Sequence, residues 1–127
     1  MTATLEHRLT QSVHAPSEAR ALVGKRVAAD LPPLVAENVL LVISELVSNG
    51  VRHSRGEELV LRVRRDELTI RVEVENRGGG FRLATSPDAL EPGPGGGLGL
   101  HLVATVSDRW GIESNGTTVV WAEIPTT

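Results

Sequence analysis

Apolar residues recur along this chain in two periods, and each change of period marks a new element. Leu5, Leu9 and Val13 stand at odd positions between polar residues, which predicts an N-terminal strand. Pro16 then occupies a first-turn position, and Ala19, Leu22, Val23 and Val27 follow at helical spacing. Pro32-Pro33 ends that helix and opens a second, from about Pro33 to His53. Its apolar set, Val35, Val39, Val42, Ile43 and Leu46, repeats every three or four residues. Alternation then returns. Leu59, Leu61 and Val63 interleave with Val60, Arg62 and Arg64, and Asp66-Glu67 turns the chain. Leu68, Ile70, Val72 and Val74 interleave with Thr69, Arg71, Glu73 and Glu75, giving a hairpin with one apolar and one charged face. Residues 77–97 have no period. A third helix is predicted from Leu98 to about Ser107, with Leu98, Leu102 and Val106 on one side. Two strands, over 109–113 and 118–124, meet at Asn115-Gly116, a strong hairpin turn. Grouped helices with mostly antiparallel strands predict an α+β two-layer sandwich, one domain over residues 1–127.

Composition narrows the chemistry. A chain of 127 residues suits one domain that buries enough surface to need no staples. Cysteine is absent, so disulfides, thiolate metal sites and cysteine nucleophiles are excluded together. The net charge of −3 argues against nucleic acid or a membrane surface as partner. No signal-peptide core or run of about 18 apolar residues is evident, so the expectation is a soluble, cytoplasmic protein. On the charged hairpin face, mixed signs favour cross-strand pairing over a nucleic-acid patch.

Glycine alters the picture more. Eight of the 13 glycines fall between Gly78 and Gly99. A loop this long inside a small domain is functional or disordered. Just before it, the parity of Val72 and Val74 turns Asn76 to the apolar face, where a polar side chain needs a partner. Gly78-Gly79-Gly80 follows, more glycine than a turn needs, as expected where a flat ligand approaches the backbone. Gly95-Gly96-Gly97-Leu98-Gly99-Leu100 runs into the third helix, whose first amides could cradle phosphate or simply follow a flexible linker. It fits neither a P-loop nor the dinucleotide fingerprint. In the second helix Glu45 and Asn49 are four apart and share a face, with Arg52 and His53 beyond. Such a pair of oxygens could hold Mg²⁺. Equally, the helix could be polar there because it surfaces, with Arg52 and His53 suiting the negative end of its dipole.

Taken together these segments resemble the GHKL ATPases, the superfamily with the Bergerat nucleotide-binding fold. Glu45-x-x-x-Asn49 looks like the N-box, and Asn76-Arg77-Gly78-Gly79-Gly80 stands where the family has Asp-x-G-x-G. Gly97-Leu98-Gly99-Leu100 looks like the second glycine box, and Gly116-Thr117-Thr118 like the later G-T segment. The wording Ser44-Glu45-Leu46-Val47-Ser48-Asn49-Gly50-Val51-Arg52-His53, with Ser107-Asp108-Arg109-Trp110-Gly111, resembles the anti-sigma-factor serine kinases of the RsbW type.

That resemblance implies a mostly antiparallel sheet covered on one face by three helices, binding ATP and Mg. It implies Asn49 as the Mg ligand and Glu45 as general base or orienter of the attacking hydroxyl. Arg52 and His53 would lie near the phosphates, with Asn76, Gly78 and Gly80 at the base. The amides of Gly97, Leu98, Gly99 and Leu100 would hold phosphate. Residues 82–96 would form a lid, and Thr117 would border the adenine pocket. The implied partners are a serine-bearing anti-anti-sigma (STAS) protein, a sigma factor and a second copy in a homodimer. Two positions depart from the pattern. Asn76 replaces an aspartate that accepts from the adenine amino group, adding a donor whose burial unpaired costs about 1–3 kcal/mol. Leu98 stands where the family often has Arg. Two readings therefore remain: an active kinase, or a nucleotide-weak regulator that works by binding partners.

Overall fold

The computed structural model describes residues 3–53, 58–76 and 97–127. The elements run β1 (Ala3–Thr10), α1 (Ala15–Arg26), α2 (Pro33–His53), β2 (Glu58–Arg65), β3 (Thr69–Asn76), α3 (Gly97–Val106), β4 (Arg109–Ser114) and β5 (Thr118–Pro125). The five strands form one antiparallel sheet in the order β1-β2-β3-β5-β4. This is the α+β, Bergerat-type architecture expected from the chain's periodicity and family resemblance.

Register sorts the sheet into two faces. Leu59, Leu61 and Val63 of β2, Ile70, Val72 and Val74 of β3, and Val120, Ala122 and Ile124 of β5 are buried on the inner face. The helices supply the opposing layer, with Ala19 and Val23 from α1, Val39, Val42, Ile43 and Leu46 from α2, and Leu100 and Val103 from α3. Residues 33–52 of α2 reach a mean hydropathy of 1.5, apolar and long enough to cross a membrane. Here the apolar stripe is buried in the core shared with the sheet, so α2 is the central core helix.

Three expectations need correction. Val13 is 83% exposed and outside β1, because the strand ends at Thr10 and the next residues bend the chain into α1. Leu68 is 77% exposed and belongs to the turn. Asp66 Oδ1 accepts from the amides of Leu68 at 2.9 Å and Thr69 at 2.8 Å, so β3 starts only at Thr69. In α3 the buried side carries Leu100 and Val103, while Leu102 is 41% exposed.

The outer face carries a charge ladder. Arg62 reaches Glu6 at 2.8 Å and Glu75 at 2.7 Å. Arg71 reaches Glu73 at 2.6 Å and Glu123 at 2.9 Å, and lies 4.3 Å over the centre of the Trp121 ring. The hydrogen bonds that Arg62 donates to Glu75 and Glu6 hold its guanidinium still more firmly protonated. Mixed charge here means pairing mostly across strands, with Arg71–Glu73 the exception within β3.

Candidate nucleotide site

The site is organised by the contact of α2's C-terminal half with the ends of β2 and β3. Gly50 makes that contact close: a Cβ there would stand 2.9 Å from Leu59 Cδ1 and 3.5 Å from Val74 Cγ1. Leu59 is in turn the cross-strand partner of Asn76. Asn49 and Asn76, distant in sequence, thus lie on adjoining layers at one end of the inner face. Gln11 Nε2 donates to the Val51 carbonyl at 2.9 Å, satisfying one of the last acceptors of α2.

Asn49 is 0% exposed, so this half of α2 is not polar merely because it surfaces. Its Oδ1 accepts from Arg52 Nη2 at 2.9 Å, while its Nδ2 is buried without a partner. Leaving such a donor unpaired costs about 1–3 kcal/mol, a cost that persists where a ligand would relieve it. Glu45, one turn earlier, is half-buried and makes no hydrogen bond or ion pair with the described residues. A carboxylate and a carboxamide oxygen on one helix face are hard donors of the kind Mg²⁺ takes, and these residues fit such an ion. His53 closes α2, but its side chain lies outside the described residues.

Asn76 is 2% exposed and ends β3 on the inner face, as parity requires. Gly78, Gly80 and the 82–96 lid lie outside the described residues. The helix α3 begins at Gly97, so Gly97, Leu98, Gly99 and Leu100 form its first turn. Amides of a first turn have no partner within the helix and suit an anion. The side chain of Leu98 lies outside the described residues; Leu100 is fully buried and anchors the turn in the core. Thr117 points elsewhere: its hydroxyl donates to Glu75 Oε2 at 2.8 Å, on the outer face. Thr118 is the residue paired with Asn76, in phase with Val120, Ala122 and Ile124 on the inner face. The parity that places Asn76 inward would have found Thr118 as well.

The model of the histidine kinase-like ATPase domain family matches residues 6–123. Among solved structures, the chain is similar to the RsbU and RsbW domains of Rv1364c from Mycobacterium tuberculosis. The identity is 18% and the TM-score 0.67, covering 98% of this chain and 33% of that one. It is also similar to the blue-light activated histidine kinase EL346 of Erythrobacter litoralis, with 23% identity and a TM-score of 0.58 over 87% of this chain and 39% of that one. The separate histidine kinase domain of that protein gives 23% and 0.56, over 89% and 58%. This chain thus spans from a third to somewhat over half of those chains, and at these identities the likeness is one of fold. No curated protein matches it in sequence. With the family model running from the first strand to the last, the chain belongs to the histidine kinase-like ATPase domain family.

Proposed function

We propose that this chain is an ATP-dependent serine protein kinase of the anti-sigma type, acting in the cytoplasm on a STAS partner and alternatively holding a sigma factor. The observation that carries the reading is the pairing of a buried, half-satisfied Asn49 with Glu45 one turn away, which has no partner among the described residues. Groups left this way inside a folded domain are suited to a ligand that completes them. The RsbU and RsbW domains sharing the fold add support for the anti-sigma assignment.

In this reading Asn49 Oδ1 would hold Mg²⁺, which supplies charge neutralisation at the phosphates. Glu45 accepts the proton of the partner's serine hydroxyl as the serine oxygen bonds to the γ-phosphorus and the bond from that phosphorus to the β,γ-bridging oxygen breaks, releasing ADP. Arg52 and the first-turn amides of α3 neutralise and orient the phosphate oxygens. Asn76 receives the adenine edge through its carbonyl. Phosphoryl transfer asks mainly for positioning and charge, which these residues supply.

Asn76 also favours a second reading, a regulator that binds partners with little or no nucleotide, since its amide brings a donor to the place of an aspartate acceptor. Calorimetry with Mg-ATP and Mg-ADP separates the two. The kinase reading expects binding by the wild-type chain. No heat at millimolar nucleotide, with uptake restored by Asn76→Asp, would establish the partner-binding reading instead.

A further inference from the structure

The two atoms of the Asn49 carboxamide are treated differently. Oδ1 accepts from Arg52 Nη2 at 2.9 Å, and Nδ2 has no partner. Arg52 is exposed near the end of α2 and reaches back toward the preceding turn to make this bond. Among the described residues no carboxylate answers its charge. The guanidinium therefore stands on the very oxygen that the nucleotide reading assigns to the metal.

One carboxamide oxygen cannot serve both cations. Magnesium takes its oxygens at about 2.0–2.1 Å in a tight octahedron. A guanidinium nitrogen bonded to the same oxygen would crowd that shell as a like charge. The geometry points to an exchange, which rests on the nucleotide reading above. In the nucleotide-free chain Arg52 occupies the Asn49 ligand oxygen, and it transfers to the phosphates when the Mg-nucleotide arrives. A guanidinium suits both stations, because its fork of donors fits a carbonyl oxygen as well as phosphate oxygens.

The exchange makes metal and phosphate depend on each other. Mg²⁺ alone has to displace a cation that no carboxylate among the described residues holds. Polyphosphate draws Arg52 away and frees the oxygen, so metal and nucleotide bind with positive coupling. Arg52 is in this sense a positioning residue, acting on the metal through Asn49.

The test is calorimetric titration of the full chain with ATP, once with Mg²⁺ and once with EDTA, for wild type and Arg52→Ala. Removing the phosphate contact weakens ATP in EDTA by about tenfold or more. The exchange further requires that the gain in affinity given by Mg²⁺ shrink by about fivefold or more in the variant, because Oδ1 is then open to the metal before the nucleotide arrives and the coupling carried by Arg52 is lost. An arginine that serves only phosphate would not reduce that gain, and an unchanged or larger gain overturns the exchange. A second measurement needs no nucleotide: melting temperatures of Asn49→Ala, Arg52→Ala and the double variant. The two shifts should be clearly non-additive, and additive shifts overturn the resting contact. If wild type takes up no nucleotide, the functional reading fails, and non-additivity would then mark Arg52 as a helix-end contact only, overturning the exchange. If nucleotide binds and the Mg²⁺ gain does not shrink, the exchange alone fails.

Discussion

The outer face of the sheet and the end of its inner face near α2 are both polar, yet they are built on opposite plans. On the outer face most guanidinium groups answer nearby carboxylates: Arg62 pairs with Glu6 and Glu75 on the flanking strands, Arg71 with Glu73 on its own strand and Glu123 on β5, and Arg109 with Glu123. Even the Thr117 hydroxyl is taken by Glu75. At the inner end, Glu45 has no partner among the described residues and Asn49 keeps a buried donor unpaired. The carboxylates and guanidinium groups of the charged surface are largely paired with one another, whereas the smaller polar set is open. Charge density alone points to the outer face instead.

The sharpest way to break this comparison is Glu45→Gln. Loss of a general base lowers phosphoryl transfer to a STAS partner by about 10²–10⁴-fold. The affinity for Mg-ADP should change by less than about threefold, and transfer at the wild-type rate would refute the role of Glu45. Next in size is Gly50→Val. Its side chain has to enter space held by Leu59 at 2.9 Å, so the α2–β2 contact opens at a cost of about 1–3 kcal/mol. A drop in melting temperature of several degrees together with weakened nucleotide uptake is expected; full uptake would show that Gly50 does not set the site.

The smallest effect belongs to the outer face. The Arg109 hydrogen bond, with help from Arg71 and against partial desolvation, holds the Glu123 carboxyl below its ordinary range. A depressed folded value means that its stabilisation is present above the unfolded pKa of about 4.3 and is lost as pH falls through the folded value. Arg109→Ala should flatten the acid limb of the stability profile below about pH 4.5 and leave nucleotide affinity unchanged. A loss of affinity in that variant would join the two faces that the structure separates.

Much of this arrangement is legible in the chain because two periods carry it. The span Pro33–His53 agrees with its helical spacing, and the buried row of β3 with its alternation. What escaped depends on local polar bonds that periodicity ignores. Leu68 continues the alternation of β3, but the Asp66 side chain winds the turn around it. The apolar residues of α3 occur on more than one side, so the sequence alone does not choose between Leu102 and the pair Leu100 and Val103. At the candidate site, the shared face of Glu45 and Asn49 follows from their spacing. Asn49's complete burial, its bond to Arg52 and its idle Nδ2 follow only from how α2 settles on β2 and β3. The G-T segment was visible, but only register shows that Thr117 joins Glu75 while Thr118 sits beside Asn76.

The two tryptophans, in a chain without tyrosine, stand on opposite sides of the sheet. Trp110 packs on the core beneath the helices, opposite Ala122. Trp121 lies across Gly111, where an added Cβ would come within 2.9 Å of the ring, and beneath Arg71 on the other side. Ultraviolet emission therefore divides between an indole on the helix side and one shielded from it by the full thickness of the sheet. Replacing Trp121 with Phe leaves a single native fluorophore on the layer that α2 and α3 share, an optical probe of that layer with no label attached.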